Sequence, residues 1–152
     1  MKQQDYTAII AVNANASDAY DCINRVSAWW TENLEGSSEK MGDVFTVTFG
    51  ETFVTFEVNE AVPAQKVEWL VTSCYLHWLN DKEDWLGTKV RFELTPQGGG
   101  TQIVFTHIGL VPKVECYNNC VKGWDQYIKS SLFALINTGN GMPTRRKLAA
   151  AV

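Results

Sequence analysis

The sequence lacks the features of a membrane, secreted or nucleic-acid-binding protein. No apolar run approaches the roughly 18 residues of a membrane-spanning helix. The first residues, MKQQDYTAII, contain no signal-peptide core or cleavage site. Lys and Arg cluster only at 145–147 and the net charge is -4, so a basic surface for nucleic acid is not expected. These absences predict a cytoplasmic protein whose four cysteines are reduced.

Motifs for metal, phosphate or acid–base chemistry are also scarce. The chain has no CxxC or His-x-x-x-His spacing, and the glycines at 98–100 lack the lysine and helix of a phosphate loop. Its strand carboxylates Glu57, Glu60 and Glu68 are expected to be solvated. The sequence therefore predicts no metal site and no cofactor.

Aromatic side chains are the feature that the chain has in excess. They make up 12% of its 152 residues and include six tryptophans. A chain of this length is expected to bury one hydrophobic core. The surplus of rings therefore indicates either a very aromatic core or a lined cavity. The predicted domain spans 1–142, and the tail at 143–152, which ends in KLAAAV, is either native or a remnant of cloning.

Alternation of apolar and polar residues predicts a curved antiparallel sheet. Segment 88–95 places Val90, Phe92 and Leu94 on one face and charged residues on the other, as in a sheet with one face in water. A turn at 50–52 joins two such segments into a hairpin. About six strands are predicted, at 6–14, 43–49, 53–62, 66–79, 88–95 and 101–108, with a polar loop at 35–40.

Helical periodicity predicts two short helices after the first strand and one long helix at the end. The first short helix covers about 16–26, and a second helix or turn begins at Trp29. The long helix runs from Pro112 to Thr138, where Gly139 ends it. At roughly 100° per residue its apolar stripe faces the sheet, giving an α+β domain. That stripe comprises Tyr117, Val121, Trp124, Ile128, Leu132 and Leu135.

Five segments carry a resemblance to a known superfamily: SAWWT at 27–31, VEWLVT at 67–72, GTKVRFEL at 87–94, GGTQIVFTHIGL at 99–110 and GWDQYIKSSLFALINTGNG at 123–141. The chain resembles the START-like (SRPBCC, or helix-grip) superfamily, and within it the branch of heat-shock protein 90 ATPase activator homologues. The resemblance implies a sheet of about six strands that wraps around the C-terminal helix and leaves a cavity between them. Superfamily members use that cavity for lipids, polyketides, aromatic compounds or hormones, and some are cyclases or hydrolases.

The leading functional hypothesis is the binding of a small hydrophobic or aromatic molecule in that cavity, without catalysis. Tryptophan and tyrosine rings would line it, and their polar tips would give an apolar pocket a few directional donors. For Trp69, core packing is favoured over lining, while Gly123 beside Trp124 leaves room for a ligand. The predicted cavity residues are Trp30, Trp69, Trp78, Phe92, Phe105, His107, Cys116, Cys120, Trp124, Tyr127 and Ile128.

Cys116 and Cys120 lie on one side of the predicted helix, so both could approach one metal ion. A structural zinc needs two further ligands, and a disulfide is disfavoured because helix geometry does not match the required separation and dihedral. We interpret the pair as small buried wall residues. His107 is interpreted as a hydrogen-bonded core or rim group. The alternative is a catalytic base, alone or with one of these cysteines as nucleophile, but no third orienting group is recognisable.

Two other function classes stay open. One is a co-chaperone-like interaction module, whose partner would be the chaperone, and the other is a cyclase- or hydrolase-like enzyme that uses His107 or a tyrosine of the cavity. Phe133 projects opposite the buried stripe. It is therefore covered by a terminal segment or contacts a second subunit, which makes a homodimer a hypothesis.

Overall fold

The structure, a computed structural model, describes residues 4–144. Most of the predicted tail, including its KLAAAV ending and the basic residues at 145–147, lies outside the described residues. Within them the chain forms seven strands and two short helices, followed by one long helix. The strands are β1 Tyr6–Val12, β2 Leu34–Gly36, β3 Val44–Phe49, β4 Thr52–Val62, β5 Lys66–Tyr75, β6 Lys89–Gln97 and β7 Gly100–Ile108, and the short helices are α1 Ala16–Asn24 and α2 Val26–Trp29.

The strands form one antiparallel sheet in the order β1-β7-β6-β5-β4-β3-β2. Buried side chains alternate with exposed ones along β1 and with half-buried ones along β7, as the period-two pattern predicted. Two register shifts between β4 and β5, at Thr55/Phe56 and Val58/Glu60, bend the sheet. The helix-grip fold class is confirmed, with one strand more than expected.

The additional strand is β2, in a stretch that was predicted to be a loop. Its three residues are too few to show an alternating pattern. It is defined by its pairing with β3, where Leu34 lies opposite Val47. The strand predicted at 66–79 is also shorter than expected, because β5 ends at Tyr75 and residues 76–88 form a loop of successive turns.

The long helix has three consecutive segments: α3 Tyr117–Trp124, a π-helical segment Asp125–Leu132, and α4 Phe133–Thr138. It begins five residues after the predicted Pro112, and Gly139 ends it in the left-handed conformation with φ of 87°. The prediction of a uniform α-helix was wrong, because the middle segment is π-helical. In a π turn the amide of residue i+5, and not that of residue i+4, bonds to the carbonyl of residue i. The amide of Phe133 bonds to the carbonyl of Ile128 in this way.

The chain after the helix packs back against α2. The Thr144 amide bonds to the Trp30 carbonyl at 2.8 Å, and the Glu32 amide bonds to the Thr144 carbonyl at 2.9 Å. Gly141 passes so close to α2 that a β-carbon on it would lie 2.2 Å from the Ala28 carbonyl oxygen. These contacts hold residues 141–144 against the segment that carries Trp30.

The core is built around Trp69, on the helix-facing side of β5. Its ring lies 5.1 Å from that of Phe45, 5.2 Å from that of Phe92 and 6.4 Å from that of Trp30, measured between centroids. The Trp69 indole N–H is buried and has no hydrogen-bond partner among the described residues. Trp69 is thus a packing residue, as favoured from its alternation with Val67 and Val71.

The expectation that Glu68 is solvated was wrong. Val67 and Trp69 face the helix, so Glu68 projects from the other face of the sheet, yet it is only 2% exposed. Arg91 Nε and Asn59 Nδ2 donate to its carboxylate at 2.8 and 2.6 Å. Burial alone would raise the pKa of Glu68, but the hydrogen bonds from Arg91 and Asn59 outweigh it and lower that pKa. Alternation identified the face of the sheet and missed the neighbours that cover this carboxylate.

Candidate ligand-binding cavity

A cavity of about 200 Å³ lies between the sheet, the loop after β5 and the start of the long helix. The walls come from four parts of the fold, and none of the described lining residues is Asp, Glu, Lys, Arg or His. The lining residues are Trp30 after α2; Phe49, Thr52 and Val54 around the β3–β4 turn; Leu76, Trp78 and Trp85 on the loop; and Cys120, Gly123, Trp124 and Tyr127 on the helix.

Aromatic rings dominate the wall. Trp124 packs 4.9 Å from Trp30 and 5.9 Å from Trp85, and Trp30 lies 5.9 Å from Phe49, measured between ring centroids. Trp78 differs from these rings because it is 49% exposed, whereas Trp30 is 4% exposed. Trp78 therefore lies where the cavity meets solvent.

The polar tips of three wall rings are engaged by residues that do not line the cavity. Trp124 Nε1 donates to His107 Nδ1 at 3.0 Å, and Trp85 Nε1 donates to Cys116 Sγ at 3.2 Å. The hydroxyl of Tyr127 is hydrogen-bonded to that of Thr144. The expectation that these tips serve a ligand was therefore wrong for Trp124, whose single N–H is already donated. For Tyr127 it stays a prediction, because a hydroxyl that accepts from Thr144 can still donate to a ligand. Both residues also add apolar ring surface to the wall.

His107 is fully buried beneath the wall, and both of its ring nitrogens are used. Because the indole of Trp124 can only donate, Nδ1 accepts and the neutral ring carries its proton on Nε2. Nε2 then donates to Thr88 Oγ1 at 2.9 Å, and that hydroxyl donates to the Trp85 carbonyl at 2.6 Å. Burial lowers the pKa of His107 to about 3. This neutral, fully bonded imidazole positions Trp124 and Trp85, and the geometry gives it no free nitrogen for acid–base work.

The structure divides the eleven predicted cavity residues into two groups. Five of them line the cavity: Trp30, Trp78, Cys120, Trp124 and Tyr127. The other six lie in the core without bordering it, each with no exposed surface: Trp69, Phe92, Phe105, His107, Cys116 and Ile128. Contact between a ligand and any of the eleven residues stays a prediction.

Sequence reasoning missed several wall residues. Trp85 directly follows the charged stretch NDKED at 80–84, and a tryptophan beside so polar a stretch was the available signal. The others, Phe49, Thr52, Val54 and Leu76, flank turns and carry no comparable signal.

Cys116 and Cys120 form a disulfide, so the expectations that this bond is disfavoured and that these cysteines are reduced were wrong. The helix begins at Tyr117, which places Cys116 outside it and only Cys120 within its first turn. The separation of their Cα atoms, 5.6 Å, lies in the range that disulfides adopt. Neither sulfur is then a thiol nucleophile. Cys22 and Cys74 are free and buried.

The described residues 4–144 also bear on two other classes of site. No group of three or more His, Cys, Asp and Glu side chains is arranged to hold a metal ion. No helix in that range is long and apolar enough to cross a membrane.

Solved structures with the same fold include proteins from several bacteria. The solution structure of the Aha1 dimer from Colwellia psychrerythraea is similar with a TM-score of 0.75 at 22% identity, over 91% of this chain and 99% of that one. Protein MLL2253 from Mesorhizobium loti has a TM-score of 0.67 at 16% identity, over 86% and 96%. DynU16, from the dynemicin biosynthetic locus, has a TM-score of 0.65 at 18% identity, over 92% of this chain and 50% of that one.

At these identities the likeness shows the fold. A search of curated protein sequences finds no match. The family described as Activator of Hsp90 ATPase homolog 1-like protein matches residues 19–137, which is more than half of the chain. That segment includes most of α1, all of α2, strands β2 to β7 and almost all of the long helix. The chain therefore belongs to the Activator of Hsp90 ATPase homolog 1-like family.

Proposed function

We propose that this protein binds a small, uncharged aromatic or hydrophobic molecule of one or two rings in the cavity between the sheet and the C-terminal helix. One observation carries the proposal: among residues 4–144, a cavity of about 200 Å³ is bordered by six aromatic side chains and by no charged one. The six are Trp30, Phe49, Trp78, Trp85, Trp124 and Tyr127.

The volume limits the size of the ligand. An apolar cavity of about 150 Å³ accommodates benzene, whereas drug-sized ligands occupy pockets of roughly 300–1,000 Å³. A cavity of about 200 Å³ therefore suits a single ring or a fused pair better than a lipid or a folded polyketide.

The chemistry of the wall limits the charge of the ligand. A carboxylate or phosphate would lose its hydration without gaining a counter-charge, which is costly in an apolar site. The indole N–H groups of Trp30 and Trp78 make no hydrogen bond within the described part of the chain and can each serve one acceptor. Ring faces provide stacking and edge contacts, which favour an aromatic ligand over an aliphatic one of equal size.

Gly123 supports the proposal from another direction. A glycine inside a helix costs roughly 0.5–1 kcal/mol relative to alanine. A β-carbon at Gly123 would meet no atom within 4 Å, so packing does not require glycine there. Because Gly123 borders the cavity, a larger side chain would take up the space of a ligand.

The test is isothermal titration calorimetry with 2-naphthol. We expect saturable binding to the native protein and, because Leu would fill the cavity, at least tenfold weaker binding to Gly123→Leu. Gln126→Leu adds the same side chain at an exposed position of the same helix and should bind like the native protein. A native protein that does not bind 2-naphthol, or a Gly123→Leu variant that binds it normally, contradicts the proposal.

A second candidate function is a co-chaperone-like interaction module. Family membership favours it, and the similar Colwellia protein is an Aha1. Stimulation of an Hsp90 ATPase by the native protein, undiminished by Gly123→Leu, would support a surface role over a cavity role. Failure to bind or stimulate the chaperone would remove it.

We also propose a homodimer, because the Colwellia protein is a dimer and Phe133 is 39% exposed. Phe133→Ser should then weaken association in sedimentation experiments, and a monomeric native protein at high concentration contradicts the idea.

The enzyme alternative finds no support in the geometry of His107. The cytoplasm remains the proposed compartment, which cell fractionation can check.

A further inference from the structure

We infer that the Cys116–Cys120 disulfide is a redox-sensitive wall of the cavity, which a small thiol can open and which then weakens ligand binding. Only its ligand readout rests on the proposed function. Three features carry the inference: the bond itself, the position of Cys120 on the cavity wall, and the hydrogen bond that ties Cys116 to the loop carrying Trp85.

The two sulfurs differ in access. Cys116 has no exposed surface, whereas Cys120 is 9% exposed and borders the cavity. An incoming thiolate therefore reaches Cys120 Sγ first, and thiol–disulfide exchange depends on which sulfur can be approached.

The surroundings of Cys116 suit it as the leaving group. Its sulfur accepts a hydrogen bond from Trp85 Nε1 at 3.2 Å, and the residue immediately precedes the first turn of α3, where the helix dipole favours a thiolate. Its amide donates to Asp84 Oδ2 at 3.2 Å, which fixes the backbone against the loop. The carboxylate of Asp84 opposes the developing charge, while the indole and the helix terminus favour it.

The reaction is a two-electron reduction by two equivalents of a monothiol or one of a dithiol. The first thiolate bonds to Cys120 Sγ, the Cys116–Cys120 bond breaks, and its electron pair leaves on Cys116 Sγ, which takes up a proton. A second thiolate then attacks the reagent sulfur of the mixed disulfide. This step releases Cys120, which takes up a proton, and forms the disulfide of the reagent.

Reduction alters the cavity because the sulfurs must separate. Bonded sulfurs lie about 2 Å apart, whereas atoms in van der Waals contact lie roughly 3.5–4 Å apart. Cys116 is enclosed and held by Trp85, and the open space lies beside Cys120. The Cys120 sulfur therefore moves into the cavity. In a cavity of about 200 Å³ this displacement should weaken binding of a ring-sized ligand about tenfold.

The first experiment tests whether the disulfide is present and which of its two sulfurs is the more reactive. Protein prepared without reductant should show two free thiols after denaturation and four after treatment with dithiothreitol. With Cys22 and Cys74 also replaced by Ser, the Cys120 thiol left by Cys116→Ser should react with a disulfide reagent at least tenfold faster than the Cys116 thiol left by Cys120→Ser, because burial slows the reaction of Cys116. Four thiols in untreated protein, or the reverse order of rates, overturns the inference.

The second experiment measures coupling to the cavity. Calorimetry with 2-naphthol should give about tenfold weaker binding for the reduced protein than for the oxidised one. The control Cys22→Ser, in α1, should keep the full redox response, and Cys120→Ser should lose it. Equal affinity in both redox states overturns the inference.

If 2-naphthol binds neither form, the proposed function fails and the redox inference is judged by NMR. Reduction should shift the indole N–H resonance of Trp85, assigned by its loss in Trp85→Phe, because that group donates to Cys116 Sγ. An unchanged Trp85 resonance on reduction overturns the inference by itself.

Discussion

The buried imidazole of His107 should make the protein lose stability in mild acid. In the folded state the pKa of His107 is about 3, whereas an unfolded histidine titrates near 6.5. Protonation would add an N–H at Nδ1, opposite the indole N–H of Trp124 whose nitrogen lies 3.0 Å away, in a fully buried site. The folded protein therefore excludes a proton that the unfolded chain accepts.

The sign and size follow from linkage. Between about pH 6.5 and pH 3 the unfolded state binds the extra proton, so the free energy of unfolding falls as the pH falls. The slope reaches about 1.4 kcal/mol per pH unit, which gives a loss of about 2 kcal/mol between pH 7.5 and pH 5. Above the pKa of histidine in the unfolded chain, neutral His107 contributes in full to the free energy of unfolding.

The assay is urea unfolding at pH 7.5, 6 and 5, on the native protein and on His107→Gln. The amide can accept from Trp124 and donate to Thr88 but does not titrate. We expect the variant to be about 1–3 kcal/mol less stable than the native protein at pH 7.5. Because Gln does not titrate, the variant should lose about 2 kcal/mol less than the native protein between pH 7.5 and pH 5, so the difference between them shrinks in acid. The same pH dependence in both proteins, or an NMR titration of His107 near pH 6.5, would refute the reasoning.

Two further substitutions test the packing outside the cavity. Glu68→Gln should lower the free energy of unfolding by about 1–3 kcal/mol in urea titrations, because a charged hydrogen bond from Arg91 is lost. The control Glu57→Gln, at an exposed position, should change it by less than about 0.5 kcal/mol. Equal effects of the two substitutions would contradict the hydrogen bond between Arg91 and the buried carboxylate of Glu68. Gly141→Ala should lower the free energy of unfolding by about 1–3 kcal/mol, since the added β-carbon would overlap the Ala28 carbonyl. An unchanged melting temperature of this variant would show that residues 141–144 do not pack against α2 as described.

The parts of the fold that follow from local periodicity were predictable. Strand β6 alternates cleanly, and the β3–β4 hairpin turns at Gly50, so neither needs knowledge of distant residues. Strand β2 and the π-helical segment could not be predicted in this way. The first depends on pairing with β3, and the second on i+5 backbone hydrogen bonds that the spacing of apolar side chains does not report.

The cavity was predictable in kind and only partly in detail. The excess of tryptophan indicated an aromatic core or a lined cavity, and helical spacing placed Trp124 on the stripe that faces the sheet. The position of Trp85, the bond between Cys116 and Cys120 and the burial of Glu68 depend on contacts between segments far apart in the chain. Periodicity reports which face a residue occupies, whereas these features depend on what lies opposite that face.

The tryptophan contacts also have an optical consequence. Five of the six indoles form a connected chain, in which Trp69 touches Trp29 and Trp30, Trp30 touches Trp124, and Trp124 touches Trp85. Excitation energy passes readily between chromophores this close, because dipole coupling rises steeply at short range. A quencher in the cavity beside Trp124 would therefore dim the emission of Trp69 and Trp29, which it never touches. The fluorescence of this protein is then a property of the connected set, and the exposed Trp78 is the emitter outside it.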